Sequence, residues 1–168
     1  KGAPHMLLGY NTNGFAHHRL TDAITIMGEL GYQSVAITLE HNALNPFSVD
    51  PQLQLDDVRS LLKRYQMSCV LETGSRYLLD PYRKHRPTLL DAEPEERSLR
   101  MGMLLRAVEY AQYLGADAVS FWSGTPEPGE NTDASWQRLI TGCQWLSDHA
   151  SRKHVKLAFE PEPGMLVA

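Results

Sequence analysis

The stretch "KLAFEPEPG", Lys156 to Gly164, runs from apolar residues straight into two carboxylates, Glu160 and Glu162, each followed by proline. Acids set on the tip of a buried strand mark a catalytic face; the plainer reading is an acid that caps a helix or pairs with an arginine. Other apolar runs end in comparable groups. Glu40 and His41 follow "SVAITL", Glu72 follows "SCVL", and Trp122-Ser123 follow "AVSF". His17 and His18 stand beside Asn11 and Asn13 early in the chain. Adjacent histidines do not easily face one metal together, so one of them, His17, is read as lining a pocket. The segment Thr73 to Leu90, "TGSRYLLDPYRKHRPTLL", is too long for a mere connection, and long ordered loops in compact domains are commonly functional. Its Arg76, Lys84, His85 and Arg86 could hold a phosphate or carboxylate, or the segment could be a lid; the alternative is a solvated excursion.

These groups need elements to position them. Short apolar runs alternate with segments of helical period: Leu7–Tyr10, Ser34–Leu39, Ser68–Leu71, Ala118–Phe121 and Lys156–Phe159 read as five strands. Between them, Leu20, Ala23, Ile24, Met27 and Leu30 form one helical stripe, with Gly31 just past its end. Leu55, Val58, Leu61, Leu62 and Tyr65 form a second. Pro94 suits the first position of a third helix and Glu95 and Glu96 its positive end, with Leu99, Met103, Ala107, Tyr110 and Leu114 as its buried face. Trp136, Leu139, Ile140, Cys143 and Leu146 form the fourth.

This is a repeated β–α unit ending in a strand, which predicts a parallel sheet with crossover helices. Helix-to-strand joints are tight: "GYQ", "QM" and "GAD". Strand-to-helix connections are long and carry Pro46, Pro51, Pro81, Pro87, Pro126 and Pro128. Long loops therefore gather at the carboxyl ends of the strands, where parallel α/β folds place their sites. The first such loop, "NTNGFAHH", has neither a dinucleotide fingerprint nor a P-loop. A closed (β/α)8 barrel takes about 250 residues. An open sheet of five strands would leave its first and fifth edges exposed. The expectation is an α/β fold, a parallel (β/α) barrel of TIM type, present as a partial barrel of about five strands.

Composition excludes several classes. With 42% hydrophobic and 21% charged residues in 168, the chain is that of a globular domain with a core. A net charge of -4 gives no footprint for nucleic acid or an anionic membrane. No apolar run approaches the roughly 20 residues of a membrane span. Cys69 and Cys143 lack metal-like spacing and read as buried, reduced thiols of a cytoplasmic protein. Residues 1–6 read as an expression scar ahead of the domain at 7–168.

"LLGYNTNGFAHHRLTDAITIMGELGYQSVAITL", with "YAQYLGADAVSFWSG" and "VKLAFEPEPG", resembles the sugar phosphate isomerase/epimerase group of the xylose-isomerase-like TIM barrels, a superfamily that includes endonuclease IV. The resemblance stops after the fifth strand, so the chain is expected to be the N-terminal part of a barrel whose C-terminal strands are missing. In that group the glutamate ending the fifth strand binds a divalent metal and, in the epimerases, acts as a base. Glu160 matches it by position. Moving a proton beside a sugar carbonyl needs a metal to polarise oxygens and a carboxylate to take the proton. The resemblance thus implies a metal-dependent isomerase or epimerase of a small sugar, sugar phosphate or polyol. The ion would be Mn²⁺, Mg²⁺ or Zn²⁺, with its remaining ligands outside this sequence. Glu72, Arg76, His41 and Trp122, the last as an apolar wall for a sugar face, are candidates for substrate contact. Glu162 is one too, against a solvated loop acid. The alternatives are a metal-dependent hydrolase or endonuclease of the superfamily and a non-catalytic barrel that binds a small ligand. Endonuclease IV-like members carry histidines at the third and fourth strand tips, where this chain has Glu72 and Trp122. The expected partner is a sugar-like small molecule, and the sequence is compatible with a homo-oligomer.

Overall fold

The structure is a computed structural model that describes residues 6–168. The segment 1–5, most of the stretch read as an expression scar, lies outside the described residues. Five strands alternate with helices: β1 (Gly9–Asn11), α1 (Leu20–Glu29), β2 (Ser34–Thr38), α2 (Gln52–Tyr65), β3 (Ser68–Glu72), α3 (Pro94–Leu114), β4 (Val119–Trp122), α4 (Thr132–Arg152) and β5 (Leu157–Glu160). A single 3-10 turn (Thr12–Phe15) follows β1. Strand order is β1-β2-β3-β4-β5, and every pairing is parallel. This is the wall of a (β/α) barrel, laid down in chain order as the repeat predicts.

Local chemistry accounts for the boundaries. Pro94 opens α3 where its missing N–H costs nothing, and Glu95 and Glu96 complement the helix dipole. Gly115 closes the helix at φ +68, its N–H donating back to the last-turn carbonyls. The Asn131 side chain caps α4 by accepting from the N–H groups of Asp133 (2.9 Å) and Ala134 (3.2 Å). A left-handed Gln66 (φ +53) ends α2.

Alternate strand residues face opposite ways. Val35, Ile37, Cys69, Leu71, Val119 and Phe121 are buried in a core shared with Met27, Val58, Met103, Leu104, Ala107 and Val108 of the helices. The other face carries small or polar residues. There Ser34, Ala36, Ser68 and Val70 are only half-buried, and Ala158 is exposed. Burial and the nearby Asp117 push the Cys69 thiol up to about 12, which makes it inert. Among the described residues no helix is long and apolar enough to cross a membrane.

Four expected core residues fall elsewhere. Leu30 ends α1 and is 71% exposed. Leu99 is 40% exposed, because α3 turns Arg100 inward instead. Trp136 and Ile140 remain 38% and 43% exposed on a flank of α4. Strand β1 starts at Gly9, and Leu7 and Leu8 are exposed ahead of it.

Candidate functional site

Because the strands are parallel, Glu40, Glu72 and Glu160 all lie at the carboxyl end of the sheet. Thr38, Glu72, Ser120 and Ala158 occupy one row across β2 to β5. Glu160 stands one pleat beyond that row, opposite Trp122.

Glu72 is held on both oxygens. Thr38 Oγ1 donates to its Oε2 at 2.6 Å, and the Gly74 N–H donates to its Oε1. Gly74 is required here by close approach: a Cβ on it would sit 2.4 Å from Glu72 Oε1 and 3.3 Å from Trp122 Nε1. Thr38 is fixed in turn, its N–H donating to Thr12 Oγ1 at 3.0 Å and its hydroxyl lying 3.0 Å from Asn11 Oδ1.

Trp122 is 5% exposed, so it offers a ligand little free face. His85 meets its ring edge-on at 5.7 Å between centroids. The Arg100 guanidinium lies over the ring, 4.3 Å from its centroid. Arg100 also donates from Nη1 to the Thr73 carbonyl at 3.1 Å and from Nη2 to Thr73 Oγ1 at 3.4 Å. His85 Nδ1 lies 3.1 Å from the Ser75 carbonyl, an acceptor only, so Nδ1 carries the proton. Burial lowers the His85 pKa, against the pull of that carbonyl and with the help of Lys84 and Arg100.

Over β1 and β2 the arrangement is looser. A cavity of about 280 Å³ is lined by Thr12, His18, Thr38, Glu40, His41 and Arg76, among others. Burial raises the Glu40 pKa, opposed by the Arg76 backbone N–H and charge and by His41, with Glu72 adding repulsion. A wider depression beside it carries His17 as well as His18 and His41. His17, His41 and Arg76 are all exposed. The structure therefore gathers His41, Arg76 and Glu40 on one cavity, sets His17 in the wider depression beside it, and leaves Glu160 at the opposite edge of the sheet, with Glu162 just after it.

The long loop is exposed at 81–84 and packed at its ends. Leu78, Thr88, Leu89, Leu90 and Asp91 are buried in it or just after it. Of the four basic residues Arg76, Lys84, His85 and Arg86, Arg86 is taken up by neighbouring carboxylates. Arg86 pairs with Asp91 at 2.9 Å and Glu127 at 3.1 Å and donates to the Thr125 carbonyl at 2.7 Å. Arg83, next to that group, is taken by Asp80 and Glu96. Burial opposes ionisation of Asp91, but donors from Thr88 and Arg86 outweigh it and hold its pKa low. Arg76 alone of the four faces the cavity over β1 and β2.

Glu160 is half-buried at the end of β5. Beyond it the chain turns back: the Glu162 N–H donates to the Val167 carbonyl at 3.1 Å, and the Leu166 N–H to the Gly124 carbonyl at 2.9 Å. Among the described residues no three His, Cys, Asp or Glu side chains form a group able to hold a metal ion. A carboxylate at a strand tip suits an oxygen-preferring divalent ion, but the chain supplies one such ligand there and not a complete set.

A parallel sheet of this order with its long loops at one end is the wall of a partial TIM-type barrel. Residues 24–168 match the xylose isomerase-like TIM barrel family, and the chain belongs to it. Solved structures agree on the fold. The 3-keto-D-glucoside 4-epimerase of E. coli is 14% identical, with a TM-score of 0.71 over 96% of this chain and 58% of that one. A D-allulose 3-epimerase from Methylomonas sp., in complex with D-allulose, is 17% identical, with a TM-score of 0.72 over 95% and 52%. A D-tagatose 3-epimerase-like protein is 16% identical, with a TM-score of 0.75 over 94% and 54%. The chain thus spans little more than half the length of these structures. Valine–tRNA ligase of Picrophilus torridus is 28% identical over 112 residues, which is 65% of this chain and 14% of the ligase.

Proposed function

We propose that these residues form the first five strands of a divalent-metal-dependent sugar isomerase or epimerase, acting on a small sugar, sugar phosphate or polyol. The observation that carries this reading is Glu160, a half-buried carboxylate ending β5 at the same end of the sheet as Glu72 and Glu40. Membership of the family and the sugar epimerases among its structural neighbours support it. A bound Mn²⁺, Mg²⁺ or Zn²⁺ ion would polarise the carbonyl and hydroxyl oxygens of the sugar. Glu160 would supply one oxygen ligand to such an ion and a carboxylate able to accept a proton from carbon. Glu72, oriented by Thr38 and Gly74, accepts a hydrogen bond from a sugar hydroxyl. His41, Arg76 and Glu40 contact hydroxyls over β1 and β2, with His17 in the wider depression beside them, while Glu162 approaches from the turn after β5. Trp122 keeps the β4 tip in place beside Glu160. We place the reaction in the cytoplasm, a reading supported by two free cysteines.

The test uses the full-length protein. Metal content is measured by elemental analysis, and interconversion of D-allulose, D-tagatose and D-fructose is followed with and without added Mn²⁺. Metal-dependent epimerisation of any of these supports the reading. Absence of both bound metal and ketose turnover would sink it, and cleavage of DNA at abasic sites would favour the endonuclease alternative.

A further inference from the structure

Arg100 has no part in the reading above, yet it is the largest side chain the structure encloses completely, at 1% exposure. It sits in the second turn of α3, a position where an arginine ordinarily faces solvent. Among the described residues no carboxylate lies within ion-pair distance of it. Burial draws its pKa down to about 10, only partly offset by Glu72, so the group is still charged at neutral pH. A buried cation without a contacting anion is costly. What it receives in return is confined to two strand tips. Both of its hydrogen bonds end on Thr73, directly after Glu72, and its guanidinium stacks on Trp122 at the end of β4. Thr73 Oγ1 donates onward to the Ser120 carbonyl at 2.8 Å, closing a path from β3 through α3 to β4.

We propose that Arg100 is a positioning residue that clamps the tips of β3 and β4, fixing Glu72 and the Trp122 ring relative to one another beside Glu160. The clamp itself rests on the geometry, and its bearing on turnover rests on the function proposed above. The planar guanidinium matters as much as the charge. It stacks on an indole while its fork reaches a carbonyl and a hydroxyl together, and a lysine ammonium cannot do both.

The experiment uses the full-length protein labelled with 5-fluorotryptophan, with the Trp122 ¹⁹F resonance assigned by its loss in Trp122→Phe. Arg100→Met fills similar space without charge, and Arg100→Lys keeps the charge without the fork. The Trp122 resonance is expected to shift and broaden in Arg100→Met and to recover part of the way in Arg100→Lys. With a ketose as substrate, kcat is expected to fall about 10- to 100-fold in Arg100→Met, with KM within about twofold. Arg100→Lys should regain part of that loss. If Arg100→Met does not fold, the lysine variant carries both readings. An unmoved Trp122 resonance in a folded variant overturns the proposal. So does an activity loss that follows melting temperature alone or appears only in KM. A shifted resonance in a protein with no ketose activity leaves the clamp standing and sinks only the reaction.

Discussion

Over the tips of β3 and β4 the polar side chains hold one another, whereas over β1 and β2 they stand apart around a cavity. On the first side Glu72 is bound through both oxygens, Thr73 bridges to β4, and Arg100 fills the space beneath Trp122. On the second side His41, His17 and Arg76 are exposed, and Glu40 is part-buried beside about 280 Å³ of open volume. The contrast separates two physical jobs. Groups that must keep a fixed distance while a proton moves are best locked by neighbours, and groups that greet a variable polar ligand are best left mobile at an entrance. It follows that substitutions on the β3–β5 side should act mainly on turnover and stability, and those on the β1–β2 side on apparent affinity.

The largest effect is expected at the end of β5. Glu160→Gln in the full-length protein should remove most bound metal and cut turnover about 10²- to 10⁴-fold, since an amide is a weaker ligand and accepts no proton from carbon. Glu162→Gln should retain its metal. Elemental analysis of both variants decides this, and metal lost from Glu162→Gln alone would move the assignment two residues along.

Next comes Gly74→Ala. Its new methyl would overlap Glu72 Oε1, which lies 2.4 Å from the Cβ position, so the carboxylate or the β3 tip must shift. Urea unfolding should show a loss of about 1–3 kcal/mol, as for other overpacked sites, together with a fall in kcat. A variant with wild-type stability and turnover would show that the side described as rigid gives way easily.

His41→Ala and Arg76→Ala test the open side. Each should leave stability within about 0.5 kcal/mol and raise KM about 5- to 20-fold with kcat little changed. Should either instead lower kcat as much as Gly74→Ala does, the division between the two sides fails.

The smallest effect concerns Glu40. Burial raises its pKa, so folding favours the protonated acid, and its carboxyl costs stability as pH rises from the unfolded value through the folded one. Glu40→Gln removes that cost. The variant should gain about 1 °C in melting temperature at pH 7 relative to its change at pH 4, a small gain because the carboxyl is part-exposed. A gain larger at pH 4 than at pH 7 would reverse the sign and contradict the burial argument.

The fold was legible because its signals are redundant. Helix stripes, the Gly31 and Gly115 stops, Pro94 and the tight joints all specify the same repeat, so exposing Leu30 or Leu99 does not alter the topology. Part of the candidate site was legible too, since an acid directly after a β-rich run can only stand at a strand tip, as Glu72 and Glu160 do. Arg100 was not, because an arginine one residue from Leu99 reads as the solvent side of α3. A rotation of about 100° per residue decides which of the two is buried. Gly74 was equally silent: its significance lies in the approach of Glu72 and Trp122, which no spacing in the chain records. The pairing of Arg86 was not legible either, because Asp91 and Glu127, which take it up, are not adjacent to it in sequence.

Arg86 has a mechanical consequence. It reaches from the segment between β3 and α3 to the Thr125 carbonyl and Glu127 in the segment between β4 and α4. Thr88 also lies against Gly124, where a Cβ would come within 2.6 Å of it. Two excursions separate in the chain are thereby fastened into a single panel. If that fastening holds in solution, the amide protons of Thr88 and Leu90 are expected to exchange with solvent at rates close to those of the residues around Gly124, and a hydrogen-exchange measurement that finds them opening independently would separate the two segments again.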